Sequence, residues 1–177
     1  GPLNQPTEAT ADWRTADGAA KFLQQEHNKP FFLGCGIYLP HLPWYVPQKY
    51  FDLHPLDKIQ LPPHKVDDFE DIPEGGRRMA ARAGDIIRSS GKWKEAVQAC
   101  LAADSFADAC VGHVLNALEK SPHRDNTIIV LWIDHGWHLG EKQHWRKFTL
   151  WERATRTPVM FVVPKGITKS DGSRAKT

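Results

Sequence analysis

A continuous apolar run from Thr127 to Ile133 constrains the fold of this chain more than any other segment. The run is rich in β-branched residues and shows no polar alternation, which is typical of a strand buried on both faces of a sheet. Two further runs, Phe31 to Ile37 and Pro158 to Val163, are similarly apolar. We therefore expect three interior strands.

Periodic apolar residues predict helices around these strands. From Lys92 to Lys120 the apolar side chains recur every three or four residues, with Asp104 as the one polar residue on the inner stripe. A second helix is predicted from Thr15 to Asn28 and a short one between Glu74 and Ser90, whereas the polar end from Lys165 to Thr177 is expected to fray. This alternation indicates an α/β fold with a mainly parallel sheet flanked by helices.

The composition fits a single globular domain. The chain has 177 residues, of which 41% are hydrophobic and 25% charged, enough for a substantial core. Three strands are few for a sheet covered on both faces, so the domain is expected to be incomplete, with further strands beyond both ends or supplied by a partner. A formal net charge of +2 gives no case for a nucleic-acid partner. No apolar run approaches the roughly 20 residues that cross a bilayer, so no membrane partner is expected either.

The cysteines indicate neither a disulfide framework nor a zinc knuckle. Cys35, Cys100 and Cys110 are odd in number and show no CxxC spacing. Cys100 and Cys110 fall in the long predicted helix and are expected to be small core residues. The cellular compartment stays open.

The chemistry-bearing residues follow the strand that ends at Ile133. Asp134 and His135 come next, at the end where open α/β sheets bind their substrates. A carboxylate there suits a hard divalent cation, whereas the histidine favours zinc or manganese, so the pair selects no metal. Taken alone, the pair is better explained as a capping carboxylate and a structural imidazole.

A zinc site formed by His135, His138 and His144 is a weaker alternative. The HGWH spacing is half of a metalloprotease helix, but the glutamate of HExxH is absent. Gly136 and Gly140 also disfavour a regular helix through this segment.

His41 lies in a Pro-His-Leu-Pro loop after the 31–37 run, where the prolines stiffen the backbone. A rigid strand-end histidine suits anion binding or general acid catalysis, although His41 and Lys147 each resemble ordinary surface residues when taken alone. Together with Asp134 and His135 they offer a metal site, two cationic contacts and a proton donor. That set fits a tetrahedral oxyanion ester.

Three segments resemble the sulfatase family in the family's own order: KPFFLGCGIYLPHLPWYVPQKYFDLHPLDKI (29–59), WKEAVQACLAADSFADACVGHVLNAL (93–118) and NTIIVLWIDHGWHLGEKQHWRKFTLWERATRTPVMFVVP (126–164). The likeness is greatest to iduronate-sulfatase-type enzymes. It implies a partial alkaline-phosphatase-like sandwich, the middle to C-terminal portion of a catalytic domain over residues 1–177, and hydrolysis of sulfate esters of carbohydrate type. A periplasmic, secreted or lysosomal location would follow from the family.

The resemblance also implies residue roles. Asp134 and His135 correspond to calcium ligands in the family's DHG motif, and Lys147 to the lysine that contacts the sulfate and the ester oxygen. His41 corresponds to the histidine that faces the sulfate and assists the leaving group. Three further motif residues are implied to support the site or face the substrate without taking part in the chemistry: Trp137, Glu141 and His144.

Two expectations concern the surroundings of these residues. Asp134 should be turned away from bulk water and lie within about a dozen ångströms of Lys147 if the two serve one site. Aromatic side chains could stack on sugar rings, although filling space between loops and strands is the simpler explanation for the four that lie nearby: Trp44, Tyr45, Trp137 and Trp145.

This chain departs from the family pattern in two respects. Leu39 stands where relatives commonly have a lysine before Pro-His. The Cys/Ser-x-Pro-x-Arg motif that yields the formylglycine nucleophile is absent, and so is the paired Asp-Asp that supplies further metal ligands.

Two other functions therefore stay open. One is a phosphodiester or phosphonate ester hydrolase of the same superfamily, which would use an unmodified threonine or serine as nucleophile. The other is a non-catalytic remnant that binds sulfated glycans or the remainder of a sulfatase chain.

We predict that the purified 177-residue chain does not turn over 4-nitrophenyl sulfate and binds calcium weakly, because two protein ligands fall short of the roughly six to eight that calcium prefers. Release of 4-nitrophenol measures the first property and calorimetric titration the second. Turnover above the buffer control would contradict the prediction.

Overall fold

The computed structural model describes residues 1–78, 87 and 89–164. Its helices are α1 (Ala11–Leu23), α2 (Gln48–Asp52), α3 (Trp93–Glu119) and α4 (Glu152–Thr155), with a further helical stretch at 74–78. Its strands are β1 (Pro2–Leu3), β2 (Val46–Pro47), β3 (Ile129–Trp132), β4 (His138–Leu139), β5 (Trp145–Arg146) and β6 (Val159–Val162). Most of the short helix predicted between Glu74 and Ser90, and all of the predicted polar end after Pro164, lie outside the described residues.

Helix α3 forms the centre of the core. Its 27 residues match the predicted bounds to within one residue at each end, and buried Val97, Cys100 and Cys110 follow the predicted spacing. Asp104 is exposed, although the periodicity predicts it on the inner stripe. The buried stripe passes instead through the neighbouring Ala103, which is fully buried.

Helix α1 packs along α3 through small side chains. Ala16, Ala19 and Ala20 are buried, and their size lets the two helices approach closely. The helix ends at Leu23 rather than at the predicted Asn28. The His27 ring contacts the Phe22 carbonyl oxygen at 2.9 Å, which occupies an acceptor that another helical turn would use.

The prediction of a strand from Phe31 to Ile37 is wrong for this structure. The segment is extended, but no strand pairs with it among the described residues. Phe31, Leu33 and Ile37 are half-buried, whereas Phe32 is 92% exposed. Its side chains therefore alternate between the helical layer and solvent.

The other two predicted strands exist, but their surroundings differ from the prediction. β3 and β6 pair antiparallel, with Ile129 opposite Val162 and Trp132 opposite Val159. Apart from half-buried Ile129, every side chain of this strand pair is exposed, although both strands were predicted to be interior. An apolar run identifies a strand, whereas its burial depends on what covers it, and the described residues provide no third strand beside this pair.

The predicted mainly parallel sheet is not found in the described part of the chain. β1 and β2 pair in parallel over two residues each, and β4 and β5 form a short antiparallel ladder, with His138 opposite Arg146. Among the described residues, the helices α1 and α3 pack on each other and the strands form three separate two-stranded pairs. None of the described helices combines the length and apolar character that crossing a bilayer requires.

We predict that Phe161→Lys lowers self-association of the purified chain. The cross-strand neighbours Val130 and Phe161 are 41% and 65% exposed, and an uncovered apolar strand surface favours association. Leu150→Lys is the matched control, because Leu150 is 93% exposed but lies outside the strands, and it should have the smaller effect. Light scattering gives the average mass. A parent chain that is already monomeric at high concentration would contradict the prediction.

Candidate active site

The loop that carries His41 is fixed to the helical layer on both sides. At its start, the Leu39 backbone N–H donates a hydrogen bond to Asp12 Oδ2 at 2.8 Å, and Asp12 lies in the first turn of α1. Further along, buried Trp44 donates from Nε1 to the Pro40 carbonyl oxygen at 2.7 Å. The backbone of His41 is therefore held by α1 and by the core.

The hydrogen bonds of His41 define which ring nitrogen faces outward. Nδ1 lies 2.7 Å from the Leu42 carbonyl oxygen and 2.8 Å from Tyr38 Oη. A carbonyl oxygen only accepts, so Nδ1 carries the proton in the contact with Leu42. Nε2 is then the nitrogen left for a ligand.

Gly136 brings Asp134 and His135 to their positions by a close backbone contact. Its N–H donates to the Ala154 carbonyl oxygen at 2.8 Å. A Cβ at this position would lie 2.0 Å from the Arg153 carbonyl oxygen, so only glycine fits. The motif therefore lies directly against α4 just after the predicted metal ligands.

Asp134 and His135 face each other. His135 Nε2 lies 3.6 Å from Asp134 Oδ2, and its Nδ1 lies 2.9 Å from the Gly136 carbonyl oxygen. Because that carbonyl accepts from Nδ1, the lone pair of neutral His135 is on Nε2, toward the carboxylate. Asp134 was expected to be turned away from bulk water. This expectation is wrong, because its side chain is 81% exposed.

The pair fits part of a metal site. One carboxylate oxygen and one imidazole nitrogen at this separation direct lone pairs to the same region, as two ligands of one cation do. Within the described residues, no group of three or more His, Cys, Asp or Glu side chains could hold a metal ion. Asp134 and His135 therefore supply two donors, and the calcium site stays a prediction.

The indole ring of Trp137 brings the predicted residues together. Its centroid lies 5.7 Å from the His41 ring and 6.1 Å from the His135 ring. Lys147 Nζ lies 5.9 Å above the same ring, a favourable cation–π arrangement. Three of the four predicted site residues thus border one side chain, and the fourth, Asp134, contacts His135.

Trp137 was predicted to lie beside the chemistry, whereas the structure places it between the residues expected to perform it. Its Nε1 atom is buried and has no hydrogen-bond partner among the residues that the structure describes. Its position two residues after His135 in the motif is the only sequence signal for this role. Tyr38, which contacts His41, was missed altogether, because nothing in the spacing separates it from other loop tyrosines.

The β4–β5 hairpin that leads to Lys147 is anchored on α3. Trp93 donates from Nε1 to the Leu139 carbonyl oxygen at 2.7 Å, and Glu141 Oε2 accepts from the Leu139 N–H at 2.7 Å. Gly140 has φ 119°, and a Cβ there would lie 2.2 Å from the Trp93 ring. Lys147 therefore follows a turn that only glycine allows.

His138 has a structural role in this hairpin. The side chain is fully buried, with Nδ1 3.3 Å from the Glu141 carbonyl oxygen and Nε2 3.3 Å from Thr149 Oγ1. Burial, and then the nearby ring of His144 at 5.1 Å, lower the pKa of His138, so it is neutral at pH 7. With both nitrogens engaged, His138 is a poor candidate for the alternative zinc site.

The cysteines are core residues, as predicted for Cys100 and Cys110. Both are buried and form no disulfide, and burial raises the pKa of the Cys110 thiol to about 12 and that of Cys100 further. Burial also raises the pKa of half-buried Cys35. A thiol nucleophile needs the opposite shift.

Two of the four aromatic residues considered as sugar platforms fill the core instead. Trp44 and Trp145 are 7% and 2% exposed, so the packing explanation holds for them. Tyr45 is 57% exposed and Trp137 half-buried, and both stay available to a ligand.

Comparison with solved structures identifies the class of fold. The phosphonate monoester hydrolase from Silicibacter pomeroyi matches with a TM-score of 0.81 and 21% identity, over 93% of this chain and 35% of that chain. At this identity the likeness shows the fold alone. The chain thus has the fold of the corresponding part of that protein.

Sequence comparison defines the family. The Sulfatase family model matches residues 1–177. A "Sulfatase" of Formosa agariphila is 44% identical over 162 residues, covering 88% of this chain and 32% of the relative. The iduronate 2-sulfatase of Mus musculus is 34% identical over 176 residues, covering 90% of this chain and 31% of that protein. This chain belongs to the sulfatase family, and it spans about a third of the length of these relatives.

We predict that Gly140→Ala destabilises the chain by about 2 to 4 kcal/mol, because the new Cβ meets the Trp93 ring and the positive φ is strained. Gly112→Ala is the matched control. Gly112 lies within α3 with open space at its Cβ, so alanine there should stabilise by about 0.5 to 1 kcal/mol. Urea unfolding gives both free energies. Equal values for the two variants would contradict the anchored hairpin.

Proposed function

We propose that this chain supplies one side of a sulfate-ester hydrolase active site: the leaving-group histidine, the sulfate-binding lysine and two calcium ligands. The supporting observation is the arrangement around Trp137, where His41, which is distant in sequence, borders the same ring as His135 and Lys147. Membership of the sulfatase family gives this arrangement its chemistry.

Lys147 would bind the sulfate group. Lys147 is half-buried with its ammonium over Trp137, and the ring restricts the motion of the ammonium without neutralising it, which leaves the charge for an anion. A positioned cation stabilises the negative charge that develops on the ester oxygen as the S–O bond breaks.

His41 would act on the leaving group. With Nδ1–H held by the Leu42 carbonyl, the protonated ring can give its Nε2 proton to the departing alcohol oxygen. It then returns to the neutral Nδ1–H form without reorienting. The rigid loop keeps this nitrogen at a fixed position beside Trp137.

Asp134 and His135 would hold the calcium ion. When bound, calcium would offset the negative charge of the sulfate oxygens. The pair supplies a carboxylate and an imidazole lone pair, so further ligands must come from substrate, water or residues outside those described. The formylglycine nucleophile must also come from elsewhere, since this sequence has no Cys/Ser-x-Pro-x-Arg motif.

A sulfated sugar is the substrate class that we infer. One relative is named for iduronate, a sugar acid. Tyr45 and Trp137 offer aromatic surface near the His41 loop, which suits a sugar ring. Relatives commonly have a lysine at the position of Leu39. Leu39 packs against the hydrophobic core and supplies no positive charge there. We therefore expect weaker recognition of acidic sugars.

A phosphonate ester hydrolase is the second candidate, supported by the fold alone. A cationic lysine, an acid histidine and a metal pair would serve a phosphonate as well as a sulfate, because both are tetrahedral oxyanions. Substrate preference separates the two.

A segment exchange tests the proposal. The 162 matched residues of the Formosa agariphila relative are replaced by the corresponding part of this chain, and the product is assayed with 4-nitrophenyl sulfate and a phenylphosphonate ester. We expect sulfate hydrolysis that falls by roughly 100- to 1,000-fold with Lys147→Ala, the loss typical of one charge-stabilising group. His41→Ala should cost a factor of about 100 to 10,000, the range of general acid catalysis.

Lys49→Ala is the matched control for the lysine. Its Nζ lies 5.0 Å above the Tyr50 ring, so it loses a similar cation–π contact outside the proposed site. Circular dichroism confirms that each variant is folded. Equal activity of the Lys147 and Lys49 variants, or a preference for phosphonate over sulfate, would contradict the proposed function.

A further inference from the structure

We propose that Tyr38 is a positioning residue for His41: its hydroxyl keeps the imidazole in the Nδ1–H form, so that Nε2 faces the ester oxygen. The catalytic use of Nε2 rests on the proposed function. The effect of Tyr38 on the tautomer does not, because it follows from contacts within the loop.

Three atoms form a closed set of hydrogen bonds. Tyr38 Oη donates its single proton to the Leu42 carbonyl oxygen at 2.9 Å. It then has only lone pairs to offer His41 Nδ1, 2.8 Å away, and the Leu42 carbonyl at 2.7 Å also only accepts. Both neighbours of Nδ1 therefore require a proton on that nitrogen.

Tyr38 also fixes the orientation of the ring. Its carbonyl oxygen accepts from the His41 backbone N–H at 3.1 Å, which closes a turn between the two residues. The phenol ring lies 4.9 Å from the imidazole at 43°, and the Trp137 ring lies 5.7 Å away at 72°. His41 is thus held between a phenol and an indole.

The Tyr38 hydroxyl has the role that a carboxylate often has, which is to set the tautomer of a histidine. Catalytic and metal-binding histidines usually donate the second ring N–H to an Asp, a Glu or a backbone carbonyl, which sets the tautomer. In the described part of the chain, no carboxylate is hydrogen-bonded to the His41 ring, and the nearby Asp12 is bonded to the Leu39 N–H instead. Tyr38 and Leu42 share this role.

The tautomer can be measured directly by ¹⁵N NMR of the histidine side chains in the full 177-residue chain at a pH where His41 is neutral. We expect unsubstituted His41 to show a protonated Nδ1 and an unprotonated Nε2. Tyr38→Phe removes one of two acceptors, so the ratio of Nε2–H to Nδ1–H forms should rise roughly two- to tenfold, the factor that loss of one hydrogen bond implies.

Tyr45→Phe is the matched control. Tyr45 lies in the same loop and is 57% exposed, against 59% for Tyr38, but makes no contact with the His41 ring. It should leave the His41 signals unchanged. Unaltered signals of His54, which is bound to Ser105 Oγ at 2.8 Å, would show that Tyr38→Phe keeps the fold.

Either of two results overturns the proposal. One is an Nε2–H form in the unsubstituted chain, which needs no variant to be observed. The other is the same tautomer ratio in the Tyr38→Phe and unsubstituted chains. Neither depends on catalysis. If the ratio changes but the segment exchange shows no need for His41, the proposed function fails while the tautomer assignment stands.

Discussion

The contact of the Trp137 ring with its neighbours is the interaction on which this site depends. His41 arrives from the loop after the extended segment, His135 from the end of β3, and Lys147 from the end of the β4–β5 hairpin. A flat, polarisable ring accommodates a T-shaped contact with His41, a tilted contact with His135 and a cation, and each such contact contributes about 0.5 to 2 kcal/mol. Without the ring, the three polar groups would have no shared surface.

Two glycines make this convergence possible. Gly136 lets the backbone lie against Arg153 and Ala154, and Gly140 lets the hairpin turn beneath Trp93. Helices α3 and α4 thus fix the backbone on either side of Trp137, and a Cβ at Gly140 or Gly136 would collide with the Trp93 ring or with the Arg153 carbonyl group, respectively. The packing of α3 determines the fold, whereas these two close contacts determine where the site residues lie.

The sequence predicts local features of the fold well and long-range ones poorly. Helix α3 and strands β3 and β6 lie within their predicted segments, because periodicity and apolar runs are properties of neighbouring residues. The burial of β3 and β6 and the Phe31 to Ile37 strand were wrong for the described residues, and the mainly parallel sheet is not found among them, because pairing and cover depend on distant parts of a chain. Family resemblance alone led to the prediction of His41 and Lys147 as site residues, because no pattern of spacing separates them from surface residues. It gave no signal for the hydroxyl of Tyr38 or for the central position of Trp137, which come from geometry alone.

The measurement that tests the central claim most directly is a titration of the isotope-labelled chain with inorganic sulfate, followed at the His41 and His135 rings and the Lys147 ammonium. If the three groups form one oxyanion site around Trp137, their signals shift together and fit a single dissociation constant, and Trp137→Ala abolishes the common response. Shifts that fit different constants, or that survive removal of the indole, would contradict the account.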